Sequence, residues 1–207
     1  MRFALCNEVI RDLEFSAQCD FAQKAGYEGL ELAPFTLGEN PHLMRTAERQ
    51  SLRRAASDAG IEITSLHWLL VAPKGLSITT TDPAVRKQTI EVMRRLVGLC
   101  TDLGGTTLVH GSPQQRNVGQ NDDRQEASKR ACECFAAAAT EAQSAGVVYC
   151  IEPLSTRDTN FINSVSEASE CLKSIDNPAL QTMIDCCAAG FSEKLPIPEL
   201  IDRWMPQ

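Results

Sequence analysis

Four times along this chain a helix-favouring stretch runs into glycine, and a short β-rich segment follows. Gly26 precedes Leu30 to Ala33, Gly60 precedes Ile61 to His67, Gly104 and Gly105 precede Thr106 to His110, and Gly146 precedes Val147 to Glu152. These glycines stand 34, 44 and 42 residues apart, the length of one strand–helix unit. Glycine just past a helix end can take the left-handed conformation that terminates the helix. With an opening strand over Phe3 to Cys6 and a sixth over Leu180 to Asp185, the pattern gives six strands alternating with helices. Strict alternation of this kind demands a parallel sheet covered by helices.

The intervening helices carry their own signals. Asp82-Pro83 sets a capping residue before a first-turn proline, and Val85, Val92, Met93, Leu96, Leu99, Cys100 and Leu103 then mark one apolar face. Ser164 and Glu167 have capping-box spacing, Glu126 to Ala145 is alanine-rich, and Pro198 to Trp204 reads as a short final helix. The right-handed crossover rule allows an open doubly wound sheet or a barrel. No glycine-rich phosphate loop follows the first strand, as a dinucleotide fold requires. Polar or ionisable residues instead close most strands (Glu31, His67, His110, Glu152, Asp185), which is how a parallel (β/α) barrel of TIM type assembles an active site. No linker or low-complexity segment divides the sequence, so residues 1–207 read as one domain.

Composition narrows the function classes. The net charge of −7 argues against a broad nucleic-acid face, which needs clustered Lys and Arg. No apolar stretch approaches the roughly 20 residues of a membrane span, and the first residues lack the apolar region of a signal peptide. Nine cysteines, odd in number and without C-x-x-C pairs, fit a reduced cytoplasm and core packing better than a zinc site at Cys132/Cys134 or Cys186/Cys187.

Glu152 and Asp185 each end an apolar run, at equivalent places in successive units. A carboxylate in such a place is costly unless it is paired or bound to a cation. The open readings are a buried Arg or Lys partner for Glu152, a loop cap for Asp185, or shared ligation of Mg²⁺ or Mn²⁺ through oxygen. His67 and His110 are either satisfied by backbone at strand ends or placed in the mouth. His42, in the polar stretch Glu39 to His42, reads as exposed.

Several stretches together resemble the xylose isomerase-like TIM-barrel superfamily of sugar isomerases and epimerases, including ketose 3-epimerases of the tagatose/psicose type. They are Gly26 to Leu32, Ser65-Leu66-His67-Trp68, Gly111-Ser112-Pro113, Ile151-Glu152-Pro153-Leu154, Thr159 to Asn163 and Ile184-Asp185. The resemblance implies a four-ligand metal site of which Glu152 and Asp185 are the first two. The other two belong to strands seven and eight, which are not in this sequence, so about six βα units are expected with the last two strands missing. It further implies proton abstraction next to a sugar carbonyl through an enediolate, assisted by Mn²⁺ or Mg²⁺. Glu152 would be an acid/base, His67, His110 and Asp158 would bind hydroxyls, and Trp68 would form an apolar wall. Ala188 and Asp158 stand where the epimerases often carry His and Glu. A keto-inositol-type dehydratase, an endonuclease IV-like nuclease and a non-catalytic truncated barrel are the alternatives. Two unpaired sheet edges lead us to expect a homo-oligomer.

Overall fold

The computed structural model describes residues 2–205. One six-stranded sheet runs in strictly sequential order, with every neighbouring pair parallel. Its strands are β1 (Ala4–Cys6), β2 (Gly29–Leu32), β3 (Glu62–His67), β4 (Thr107–His110), β5 (Val148–Ile151) and β6 (Leu180–Thr182). A doubly wound sheet would reverse its order at a switch point; this one does not, so the arrangement is of barrel type.

Helices α1 (Phe15–Lys24), α2 (Thr46–Asp58), α3 (Pro83–Leu103), α4 (Arg124–Ala145) and α5 (Val165–Ile175) supply the crossovers, and α6 (Cys186–Ser192) and α7 (Ile197–Trp204) follow β6. The foreseen caps are present. The Asp82 carboxylate accepts from the backbone N–H groups of Ala84 and Val85, and α3 ends at Gly104 with φ +92°. Ser164 accepts from the Glu167 N–H, but the Glu167 carboxylate reaches one residue further back than a capping box requires, to the Asn163 N–H (2.9 Å). Apart from half-buried Val85, the apolar face read for α3 is fully buried.

One core lies between sheet and helices. Leu108 on β4, Tyr149 and Ile151 on β5, Leu96 and Leu99 on α3 and Phe135 on α4 all belong to it. Side chains alternate across a strand, so the residues between these turn to the opposite, inner face. The register aligns His67 with Val109 and Val109 with Cys150 on that inner face. His110 aligns with Ile151, on the core face.

His42 departs from expectation. It is 8 % exposed, in the middle of a short 3-10 turn over Pro41–Leu43, with its Nδ1 buried and unpartnered. The polar neighbours that suggested exposure, Glu39 and Asn40, are themselves exposed, while Pro41 and His42 are buried.

Candidate active site at the strand ends

At the C-terminal ends of β1, β2 and β3 a polar cluster forms on the inner face. The Glu31 carboxylate accepts from the Ser65 hydroxyl (2.8 Å) and the Cys6 thiol (3.2 Å). Burial and the adjacent Glu31 charge hold that thiol protonated, well above the usual range. His67 lies between two carboxylates, with Nδ1 3.9 Å from Glu31 and Nε2 3.8 Å from Glu8. Both distances exceed a hydrogen bond. Burial, only partly opposed by Glu31 and Glu8, lowers the His67 pKa and keeps the ring neutral. Cys6, Glu31 and His67 each offer one ligand atom within 4.8 Å of the others, a spacing that could hold a metal ion. Asn7 fixes the neighbouring strand ends: its Oδ1 accepts from the Ala33 N–H (2.8 Å) and its amide donates to Gln18 (3.1 Å) and Thr36 (2.9 Å).

Glu152 follows β5 directly and prolongs the ladder, its N–H donating to the His110 carbonyl (3.3 Å). Opposite it stands Gly111, where an added Cβ would lie 1.8 Å from the Glu152 Oε2. The missing side chain at 111 is therefore what admits the carboxyl group. Burial pushes the Glu152 pKa from 4.5 up to about 7, against the opposing pull of the Arg116 guanidinium, and the charges of Asp185, Glu31 and Glu8 push the same way as burial. Arg116 is fully buried, and its guanidinium donates to the backbone carbonyls of Glu152 (2.7 Å) and His110. The buried cation beside Glu152 thus binds the main chain.

Asp185 lies three residues past β6 as the N-cap of α6, with Oδ1 accepting from the N–H groups of Cys187 (2.7 Å) and Ala188 (3.2 Å). The capping reading is realised, and Oδ2 remains outside the cap. Trp68 turns out of β3 with φ +53°, a left-handed conformation uncommon outside glycine. It is 37 % exposed and meets Phe35 edge-on at 6.5 Å. The buried Ser112 hydroxyl accepts from the Leu70 N–H (3.0 Å), joining the His67-Trp68 segment to the Gly111-Ser112-Pro113 turn.

His110 is not brought to this group. It is fully buried on the core face, bonded through Nδ1 to the Tyr149 hydroxyl (2.8 Å) and edge-on to Phe135 at 5.0 Å. Burial first, and Arg116 second, hold its pKa well below 6.5. A hydroxyl-binding role for His110 is therefore corrected to a core role, and the nuclease reading loses the support it drew from this residue. Asp158 is exposed in the loop between β5 and α5. Asn160 and Thr159 tie that loop to the β4 side, Asn160 pairing with both backbone groups of Val118 (2.8 Å each) and Thr159 donating to Asn117 (2.9 Å). Arg116 was missed because nothing local marks a loop arginine for burial. Cys6 and Glu8 had a signal: Cys6 ends the first strand and Glu8 lies two residues past it, near where the other candidates end theirs.

Against known proteins, the model of the family described as xylose isomerase-like TIM barrel matches residues 19–202. A probable ketose 3-epimerase of Synechocystis sp. is 24 % identical over 174 residues, covering 84 % of this chain and 57 % of that protein. A putative L-ribulose-5-phosphate 3-epimerase of Escherichia coli is 26 % identical over 159 residues, covering 76 % and 53 %. The chain thus spans little more than half the length of these curated relatives. Among solved structures, a D-psicose 3-epimerase determined in the presence of D-fructose superposes with a TM-score of 0.80 at 19 % identity, covering 94 % of this chain and 67 % of that one. The E. coli 3-keto-D-glucoside 4-epimerase gives 0.84 at 14 % identity, covering 100 % and 76 %. With the sequential parallel sheet and the strand-end cluster, the match over residues 19–202 makes this chain a member of the xylose isomerase-like TIM barrel family.

Proposed function

We propose that this chain, a single (β/α) domain over residues 1–207, acts as a sugar isomerase or epimerase that moves a proton on the carbon next to the carbonyl of a ketose or related polyol. The observation that carries this reading is Glu152: a half-buried carboxyl group whose pKa is pushed up to about 7, lodged against Gly111 at a strand end. A base poised near the working pH exchanges protons most effectively. The epimerase names of the two sequence relatives agree with it.

The donor set fits a divalent cation. Four carboxylates, Glu8, Glu31, Glu152 and Asp185, act at this end of the sheet, while Arg116 is committed to carbonyls. Glu152 and Asp185 would hold Mn²⁺ or Mg²⁺ through oxygen, Asp185 with the carboxylate oxygen outside its cap. When bound, the cation would polarise the substrate carbonyl. Glu152 takes and returns the proton. His67, neutral and inner-facing, would meet a sugar hydroxyl, Trp68 would offer an apolar wall to the ring, and Asp158 would bind a hydroxyl from the loop. The partner is thus a small sugar, with neither nucleic acid nor membrane; no helix among the described residues is long and apolar enough to cross one. We place the protein in the cytoplasm, and as a homo-oligomer through the outer edges of β1 and β6.

The test is solvent exchange. With Mn²⁺ or Mg²⁺ added, incubation with ketoses in D₂O should introduce deuterium next to the carbonyl. Glu152→Gln should abolish the exchange while the far-ultraviolet circular dichroism stays unchanged. Exchange persisting in Glu152→Gln would remove Glu152 from the chemistry.

A further inference from the structure

Between the sheet-covering helices, the seam of α4 and α5 brings two thiols together. The sulfurs of Cys132 on α4 and Cys171 on α5 lie 3.1 Å apart, and both cysteines are free. A disulfide needs roughly 2.05 Å, so closing the bond asks for about 1 Å of movement. Their surroundings differ. Both line a cleft of about 520 Å³ with Ser128, Phe161, Ile162 and Ser174, but Cys132 is half-buried there. Cys171 is 5 % exposed. Either sulfur can donate in this contact; with Cys171 as the donor, the bond lowers the Cys132 pKa despite burial and raises that of Cys171, in line with the greater exposure of Cys132. A reachable thiolate beside a sheltered, protonated thiol is the arrangement in which the first sulfur is oxidised and the second resolves it.

We propose that Cys132 and Cys171 form a peroxide-responsive pair, in which hydrogen peroxide oxidises Cys132 and Cys171 then closes a disulfide across the α4–α5 seam. In the first step the Cys132 thiolate attacks one peroxide oxygen. The O–O bond breaks, hydroxide departs and takes up a proton to become water, and Cys132 is left as a sulfenic acid. In the second step the Cys171 sulfur attacks that of Cys132. The S–O bond breaks, the S–S bond forms, and the released hydroxide leaves as water with the Cys171 proton. Two thiols are oxidised by two electrons, and one peroxide is reduced to two waters. The bond would reinforce a seam where Arg124 of α4 already donates to the Asn160 carbonyl and approaches the Glu167 carboxylate (3.5 Å). It would thereby tether the loop that follows Glu152.

The experiment treats the full chain with a small excess of hydrogen peroxide near pH 7. Remaining thiols are blocked with N-ethylmaleimide, and non-reduced peptides are mapped by mass spectrometry. The expected product is one cross-linked peptide pair joining Cys132 to Cys171, two hydrogens lighter than the separate peptides. Cys132 should be consumed about ten-fold faster than the exposed Cys186 and Cys187. In Cys171→Ser, which removes the resolving thiol, peroxide with dimedone should label Cys132. No Cys132–Cys171 cross-link in the wild-type chain, or Cys132 reacting no faster than Cys186 and Cys187, overturns the proposal. The wild-type map decides the pairing even if the variant folds poorly.

Discussion

Replacing Glu152 with glutamine should change the pH dependence of stability in a calculable way. In the folded chain the carboxyl group titrates near 7 rather than at 4.5, chiefly because burial penalises its charge. Below pH 4.5 the folded and unfolded chains both carry it protonated. As the pH rises from 4.5 to 7, the unfolded chain ionises here and the folded chain does not, so folding loses free energy. The loss proceeds at up to about 1.4 kcal/mol per pH unit and reaches about 3 kcal/mol once the folded group has also ionised. The glutamine amide cannot ionise and escapes that decline. The variant also keeps the backbone carbonyl that Arg116 holds at 2.7 Å, so the substitution removes charge and little else.

The assay is urea unfolding of both proteins from pH 4.5 to 8 in chelating buffer. Taking the difference between the two profiles cancels other titrating groups. Glu152→Gln should match the wild type at the acid end and become more stable by about 3 kcal/mol at pH 8. Adding Asp185→Asn to the wild type should reduce the rise, since the Asp185 charge is part of what raises Glu152. A flat difference profile would refute both the burial of this carboxyl group and the proton affinity built on it.

Gly111→Ala should displace the Glu152 carboxyl group, because its Cβ would fall 1.8 Å from Oε2; deuterium exchange should be lost while the unfolding midpoint moves little. Tyr149→Phe leaves the Nδ1 of fully buried His110 without its 2.8 Å partner and should cost about 1–3 kcal/mol in urea unfolding. Arg116→Met leaves the Glu152 carbonyl without its donor and the His110 carbonyl with only the Glu152 N–H, and should cost about 1–3 kcal/mol by the same measure. In calorimetric titration with Mn²⁺, Asp185→Asn should abolish binding and Cys6→Ala should not; the reverse outcome would move the metal to the Cys6, Glu31 and His67 cluster.

Much of this molecule was legible before the structure. The glycine-punctuated alternation carried the parallel sheet, and Asp82 and Ser164 capped the helices they were read to cap. Local chemistry decides these features, so local sequence reports them. Features requiring distant partners were less visible. His42 is buried despite polar neighbours, and Arg116 is enclosed by carbonyls of residues 110 and 152, the latter 36 positions away.

The two strand-ending histidines show where the boundary lies. His67 and His110 look equivalent in sequence, each closing a β-rich run and each followed by a turn. Parallel register aligns His67 with Val109, and a single step along a strand reverses the face. His67 therefore points inward between Glu8 and Glu31, and His110 outward against Phe135 and Tyr149. The same parity places Gly111 and Glu152 together on the inner face, where one residue's missing side chain accommodates the other's carboxyl group. Neither run reveals its phase alone, because phase is fixed by which residues pack under α3 and α4. Once Leu108 and Tyr149 are committed to that core, the inner positions of Val109, Cys150 and Glu152 follow without further choice.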